Sequence, residues 1–204
     1  MARRLVQLYL GLVLYGLSAS LQVLAGLGLG PWDVFHQGLA RHTGLAIGTW
    51  SIIVGAFVLL LWIPLRQRPG IGTISNVVLI GGTMDVVLGT VSPPHALAWR
   101  IVCLVAGVAL SGIATGAYIG AGLGPGPRDG LMTGLVARGG SIRVVRTGIE
   151  LTVLATGWLL GGTVGVGTVL YAVSIGPLAH VFIPLLSHER RRAPEAALAL
   201  QPLE

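Results

Sequence analysis

Residues 26–33 read GLGLGPWD, and residues 122–129 read GLGPGPRD. Six of the eight positions match, 96 residues apart, and each copy follows a long apolar run. Slid against itself by 96 residues, the chain aligns 4–62 with 100–158 without a gap and with 18 identities in 59 positions. The matches include Gly11/Gly107, Gly16/Gly112, Gly38/Gly134, Leu39/Leu135 and Trp62/Trp158. After a one-residue gap, IGTISNVVLIGGTMDVV meets VGTVLYAVSIGPLAHVF, pairing Gly72 with Gly167, Thr73 with Thr168, Ile80 with Ile175 and Gly81 with Gly176. Gly- and Leu-rich composition inflates some of this. The Pro31/Pro127 and Asp33/Asp129 matches at one shared offset are not a composition effect.

The composition is that of a membrane protein. Of 204 residues, 53% are apolar and 10% charged, with mean hydropathy +0.84. Ordinary soluble domains carry about a quarter charged residues. All thirteen basic residues are Arg, and most flank apolar blocks. The net charge of +6 is therefore read as a topology signal and not as a nucleic-acid-binding face. Cys103, the sole cysteine, excludes an intrachain disulfide and reads as a small core residue. The N-terminus MARRLVQLYLGLVLYGLSAS has a signal-peptide look. Its full counterpart deeper in the chain argues against cleavage.

Six stretches are long enough to cross about 30 Å of hydrocarbon as helices: 5–27, 46–63, 73–91, 98–120, 146–163 and 166–186. With both termini in the cytoplasm, Arg3, Arg4, Arg66, Arg68, Arg128, Arg138, Arg143, Arg146, Arg190, Arg191 and Arg192 lie inside, against Arg41 and Arg100 outside. The expected units are 1–96 and 97–190, followed by a short, poorly ordered cytoplasmic tail at 191–204. Three spans per unit is an odd number, so the second unit enters the membrane from the other side. The expected fold is an all-α membrane protein of six transmembrane helices, arranged as two inverted three-helix repeats, each with a short half-helix. Inverted repeats are typical of secondary transporters, although architecture alone does not fix function.

The segments DVFHQGLARHTG and DGLMTGLVARGG after the turns are too short to cross alone. Gly28, Gly30, Gly124 and Gly126 permit positive φ or close backbone approach. Pro31 and Pro127 suit the first helical position, and Thr43-Gly44 and Gly139-Gly140 supply stops. Asp33 and Asp129 then fall in the first turn. A helix-capping role is at least as well founded there as a solute or ion ligand. The glycine spacing is not a dinucleotide fingerprint, because no strand precedes it.

Asp85 lies inside the third span, and its repeat mate is His180. The two are candidates to pair, relay a proton or bind an ion, or else simply to bond a neighbouring helix. His36 on the first half-helix and Asn76 in the third span complete the candidate solute or ion path. Gln22 and Asn76 also read as interhelical glue. Arg146 and Glu150 read as an i,i+4 ion pair. GVALSGIATG reads as a packing face, and Trp62 and Trp158 as interface anchors. Pro177 and Pro184 are expected to kink the last span. No catalytic constellation, metal-ligand spacing, cofactor motif or phosphate loop is present, so the expectation is no enzyme, no metal and no cofactor.

GLGPWDVFHQGLARHTGLAIGTWSIIVG followed by PLRQRPGIGTISNVVLIGGTMDVVL resembles the YczE-like integral membrane proteins of bacteria, within the YczE/YyaS/YitT grouping. The resemblance covers roughly residues 5–186. It implies a multi-pass protein of the bacterial inner membrane and supplies no substrate or catalytic residues. The reading is a transporter-like or channel-like protein for an unidentified small solute. The alternative is a membrane scaffold or regulatory factor acting on partner proteins. The expected partner is the lipid bilayer, with no nucleic acid; a homodimer is left open.

Overall fold

The computed structural model describes residues 1–187. The tail expected at 191–204, and the cytoplasmic assignment of Arg190, Arg191 and Arg192, lie outside the described residues. All regular structure among the described residues is helical, with the order long, short, long, long occurring twice. The helices are α1 (Ala2–Ala25), α2 (Pro31–Thr43), α3 (Ile47–Leu65), α4 (Ile71–Thr90), α5 (Leu97–Gly120), α6 (Pro127–Val136), α7 (Ile142–Leu159) and α8 (Val166–Leu186). Five of them, α1, α3, α4, α5 and α8, are long and apolar enough to cross a membrane. The 18-residue α7 overlaps the remaining expected span but carries Arg143, Arg146 and Glu150 and is less apolar. Arg146 and Glu150 pair at 3.0 Å, as their spacing requires.

The centre of the fold is α1 packed antiparallel on α5. Small residues let the two backbones approach: a side chain on Gly11 would collide with Ala117, and one on Gly107 with Gln22. Between them, Ser18 hydrogen-bonds Ser111, and Gln22 donates to Ser111 at 3.2 Å. Both ends of the pair are tied by repeat mates. Arg4 donates to the carbonyls of Ala121 and Gly122 at 2.7 and 2.6 Å. Arg100 donates to Ala25 and Gly26 at 2.7 and 2.9 Å. Each arginine thus satisfies the last carbonyls of the other helix, where a cation also meets the negative end of the helix dipole.

The glycine stripe of α5 is the packing face its composition predicts. Gly112, Gly116 and Gly120 receive Leu178, Phe182 and Leu186 of α8, one turn apart. On the other side of the core, α4 lies on α1 through Gly16 against Thr83, and α3 lies on α4 through Gly48 against Gly81.

The two halves of the chain differ most clearly in one contact. α3 packs closely along α4, whereas α7 lies mainly on α2 and hardly touches α8. The mates of the α3–α4 contact explain this. Gly48 corresponds to Val144, which is 71% exposed. Gly81 corresponds to Gly176, which has open space where a Cβ would stand.

Asp85 belongs to that contact. Its carboxylate accepts from the Gly48 amide and from the Thr49 hydroxyl, each at 2.7 Å. The N-cap position of α3 is Ala46, which has no side chain to offer. Asp85 therefore caps α3 from the neighbouring helix. His180 is exposed on α8 and makes no bond to Asp85. Removing the cap by Asp85→Ala is expected to cost about 1–2 kcal/mol, read as a lower midpoint of thermal unfolding in detergent.

Candidate functional site

The two turns meet. α1 ends at Ala25 with Gly26 as C-cap, the chain turns through residues 27–30, and Pro31 opens α2 at its first position with Gly30 as N-cap. Gly126 and Pro127 open α6 in the same way. Gly28 and Gly124 adopt φ of 116° and 123°, a conformation closed to other residues at low cost. Gly30 and Gly126 have ordinary φ values of −60° and −63° and are required for space instead. A Cβ on Gly30 would sit 3.1 Å from the Tyr171 ring, and one on Gly126 3.0 Å from the Asp129 carboxylate. Each turn is clamped by the other unit's last long helix. Gly167 donates to Leu27 at 2.8 Å, and Gly72 donates to Leu123 at 2.9 Å. The helix stops also follow the sequence in part. Gly44 ends α2 at φ 74°, whereas α6 ends at Val136, before the expected Gly139.

The guanidinium of Arg128, in the first turn of α6, lies 4.8 Å from the centroid of the Trp32 ring, in the first turn of α2. These residues occupy the one mismatched position late in the doubled turn, Trp in one copy and Arg in the other. Together they form a cation–π contact. Arg128, counted in the sequence among the flanking charges, lines a cavity of about 80 Å³.

Asp129, Asn76, His36, Tyr15 and Tyr118 line the same cavity. Tyr118 donates to Asp129 at 2.9 Å. The Tyr15 and Tyr171 hydroxyls are 3.2 Å apart, and the Tyr15 and Tyr118 rings meet edge to face at 6.0 Å. A chain of three tyrosines therefore runs from Gly30 at one turn to Asp129 at the other. His36 is fully buried, with Nδ1 3.4 Å from Asp33 and no hydrogen bond on either ring nitrogen.

Of the residues singled out in the sequence, Asp33, His36, Asn76 and Asp129 come together here, and Asp85 and His180 do not. The capping role expected of the aspartates is modified. Both sit in the first turn, near the positive end of a helix dipole. Their carboxylates, however, face His36 and Tyr118. The sequence reading missed Arg128 and the tyrosines. Three of the four tyrosines in the chain converge on the cavity or its wall. A tyrosine in mid-span, with an apolar body and a polar tip needing a partner, was the available signal. Tyr171 is also the repeat mate of Asn76.

Trp62 corrects the interface-anchor reading. It is 2% exposed, donates its indole N–H to the Pro127 carbonyl at 3.0 Å and packs against Gly130. Its mate Trp158 is 64% exposed.

Residues 2–184 match the model of a family of unknown function, DUF6198. The chain belongs to this family. It is 36% identical over 202 residues to "Uncharacterized membrane protein YczE" of Bacillus subtilis, covering 96% of this chain and 94% of that one. A Haemophilus influenzae protein called "Uncharacterized protein" is 41% identical over 181 residues, covering 88% and 83%. "Uncharacterized protein YyaS" of Bacillus subtilis is 28% identical over 184 residues, covering 87% and 90%. No solved structure matches the chain. The YczE-like resemblance read from the turn and the loop before α4 is thereby established, and the chain is a multi-pass helical membrane protein.

Proposed function

We propose that this protein moves a small solute across the bacterial inner membrane, without catalysing a reaction, through a site between two inverted repeats. In this reading α1–α4 and α5–α8 are the repeats, α7 is the sixth span, and both termini are cytoplasmic. The observation that carries the proposal is the 4.8 Å contact between Trp32 and Arg128. It joins two short helices, 96 residues apart in the sequence, by their N-termini around a polar cavity. Discontinuous helices that point their N-termini at a midplane site are a recurrent device of secondary transporters. Non-helical backbone at that depth is tolerated where it lines a cavity or is buried in protein.

The unequal α3–α4 and α7–α8 contacts support the same reading. Alternating access needs two repeats that are equivalent in sequence but unequal in packing at any one time. The test is flux into sealed proteoliposomes across a broad solute panel. Flux above empty vesicles is expected, and Asp129→Asn is expected to lower it about tenfold, a loss of about 1.4 kcal/mol. Asp85→Asn is expected to retain it. Wild-type flux equal to that of empty vesicles across the panel would favour the scaffold reading instead.

A further inference from the structure

We infer that the cavity between the two half-helices is an anion site, sized for a small oxyanion or short monocarboxylate, with Arg128 as its anchor. This rests on the transport reading for its role but not for its chemistry. The Arg128 guanidinium makes no hydrogen bond or salt bridge among the described residues; it lies against the face of Trp32, and its positive charge acts on the nearby Asp33 and Asp129 carboxylates. A guanidinium carries five N–H donors and seeks a planar, bidentate acceptor. Inside a protein, such a group is costly unless an acceptor engages it.

Three further sets of donors point the same way. Neither half-helix has a side-chain cap, and the amides of Trp32, Asp33, Arg128 and Asp129 have no backbone partner. Free amides at a helix N-terminus bind anions. Here two such termini share one cavity. His36 is 0% exposed and lines the cavity with Nδ1 toward Asp33 and Nε2 unpartnered; Nε2 becomes a donor to an anion when the ring takes up a second proton. The Asn76 side chain lines it as well and makes no hydrogen bond among the described residues.

The acceptors, in contrast, are largely committed. Asp129 receives the Tyr118 hydroxyl at 2.9 Å. Asp33 faces His36 at 3.4 Å and does not line the cavity. A cation entering the cavity would meet Arg128 and one carboxylate already bonded. An anion would meet a guanidinium whose N–H groups make no hydrogen bond, and amides without a backbone partner. The volume of about 80 Å³ exceeds the roughly 10–15 Å³ that holds one water on the same kind of measure. It suits a ligand of a few heavy atoms and excludes a lipid headgroup or a nucleotide.

The test is titration calorimetry on the full chain in detergent, with sodium acetate and sodium nitrate as probes and sodium gluconate as the oversized control. Saturable binding of acetate or nitrate is expected below about 10 mM, with none for gluconate. Arg128→Gln is expected to weaken it about tenfold or more. Arg128→Lys, which keeps the charge but loses the fork, is expected to give an intermediate affinity, and it carries the test if the Gln variant does not fold. His36→Gln should weaken binding less. Absence of saturable binding by both anions overturns the proposal, as does equal binding of gluconate or an Arg128 variant that binds like wild type. Anion binding without flux would retain this site and remove the transport reading. Flux of a neutral solute or a cation, with no anion binding, would do the reverse.

Discussion

A Gly28→Val chain is expected not to accumulate as folded, monodisperse protein, whereas a Gly82→Ala chain is. Two costs coincide at Gly28. Its φ of 116° lies where L side chains rarely go. Its missing Cβ would stand 2.7 Å from the Gly165 amide and 2.8 Å from the Thr168 amide. Those atoms are backbone at the start of α8, so no side chain can swing away. The turn would have to leave the α8 N-terminus, breaking the Gly167 to Leu27 bond of 2.8 Å. A single strained conformation costs about 1–3 kcal/mol, and the overlap and lost clamp come on top of that. The sum approaches the whole stability of an ordinary domain, about 5–15 kcal/mol. Gly82 is helical, with nothing within 4 Å of a built Cβ; Ala there is expected to be neutral or stabilising by up to about 1 kcal/mol. Size-exclusion profiles of the two variants, purified side by side, check both halves. A monodisperse Gly28→Val peak at the wild-type position would mean that the turn does not sit against α8.

The part of this fold that was legible in the sequence is the part set by local backbone chemistry. Pro31 and Pro127 start helices because a fixed φ and a missing N–H suit the first position. Gly28 and Gly124 mark the reversal because the chain must take positive φ there. The span positions followed from apolar runs for the same reason. What was not legible depends on which partner a side chain meets. Trp62 and Trp158 are identical residues at matched positions, yet one is buried against Gly130 and the other is exposed. Both α3 on α6 and α7 on α2 make the equivalent contact, but Trp62 fills the space left by Gly130, whereas the mate of Gly130 opposite Trp158 is Val34. Asp85 looked like a buried charge in search of a ligand, and Ala46 before α3 gave no hint that its amides needed a donor of acceptors from elsewhere. Arg128 looked like one more flanking charge, because the Arg pattern along the chain does not reveal that its guanidinium meets Trp32 beside a cavity. For the candidate site, the sequence named Asp33, His36, Asn76 and Asp129 through the repeat. It could not show that Trp32 and Arg128, the mismatched pair, are what join the two copies.

The Arg4→Ala and Arg100→Ala substitutions are expected to destabilise the protein by similar amounts, and the double variant by their sum. Both arginines are half-buried, and both reach the last two carbonyls of the antiparallel partner helix at 2.6–2.9 Å. Gly26 and Gly122, which close those helices, have nearly equal φ values of 59° and 62°. A hydrogen bond from a charged donor contributes about 1.5–3 kcal/mol when well sheltered. With partial solvent screening, about 1–2 kcal/mol per arginine is the expected loss, and about 2–4 kcal/mol for the pair. Additivity follows because the two sites lie at opposite ends of α1 and share no partner. The readout is the midpoint of unfolding in a mild detergent for the four members of the cycle. Equal single effects are what the proposed inverted repeat demands, since each arginine bonds the end of the other's helix. A large effect at Arg4 with none at Arg100 would make the matched contacts a coincidence of composition. Strong coupling between the two would mean that the α1–α5 pair frays as one unit rather than from two independent ends.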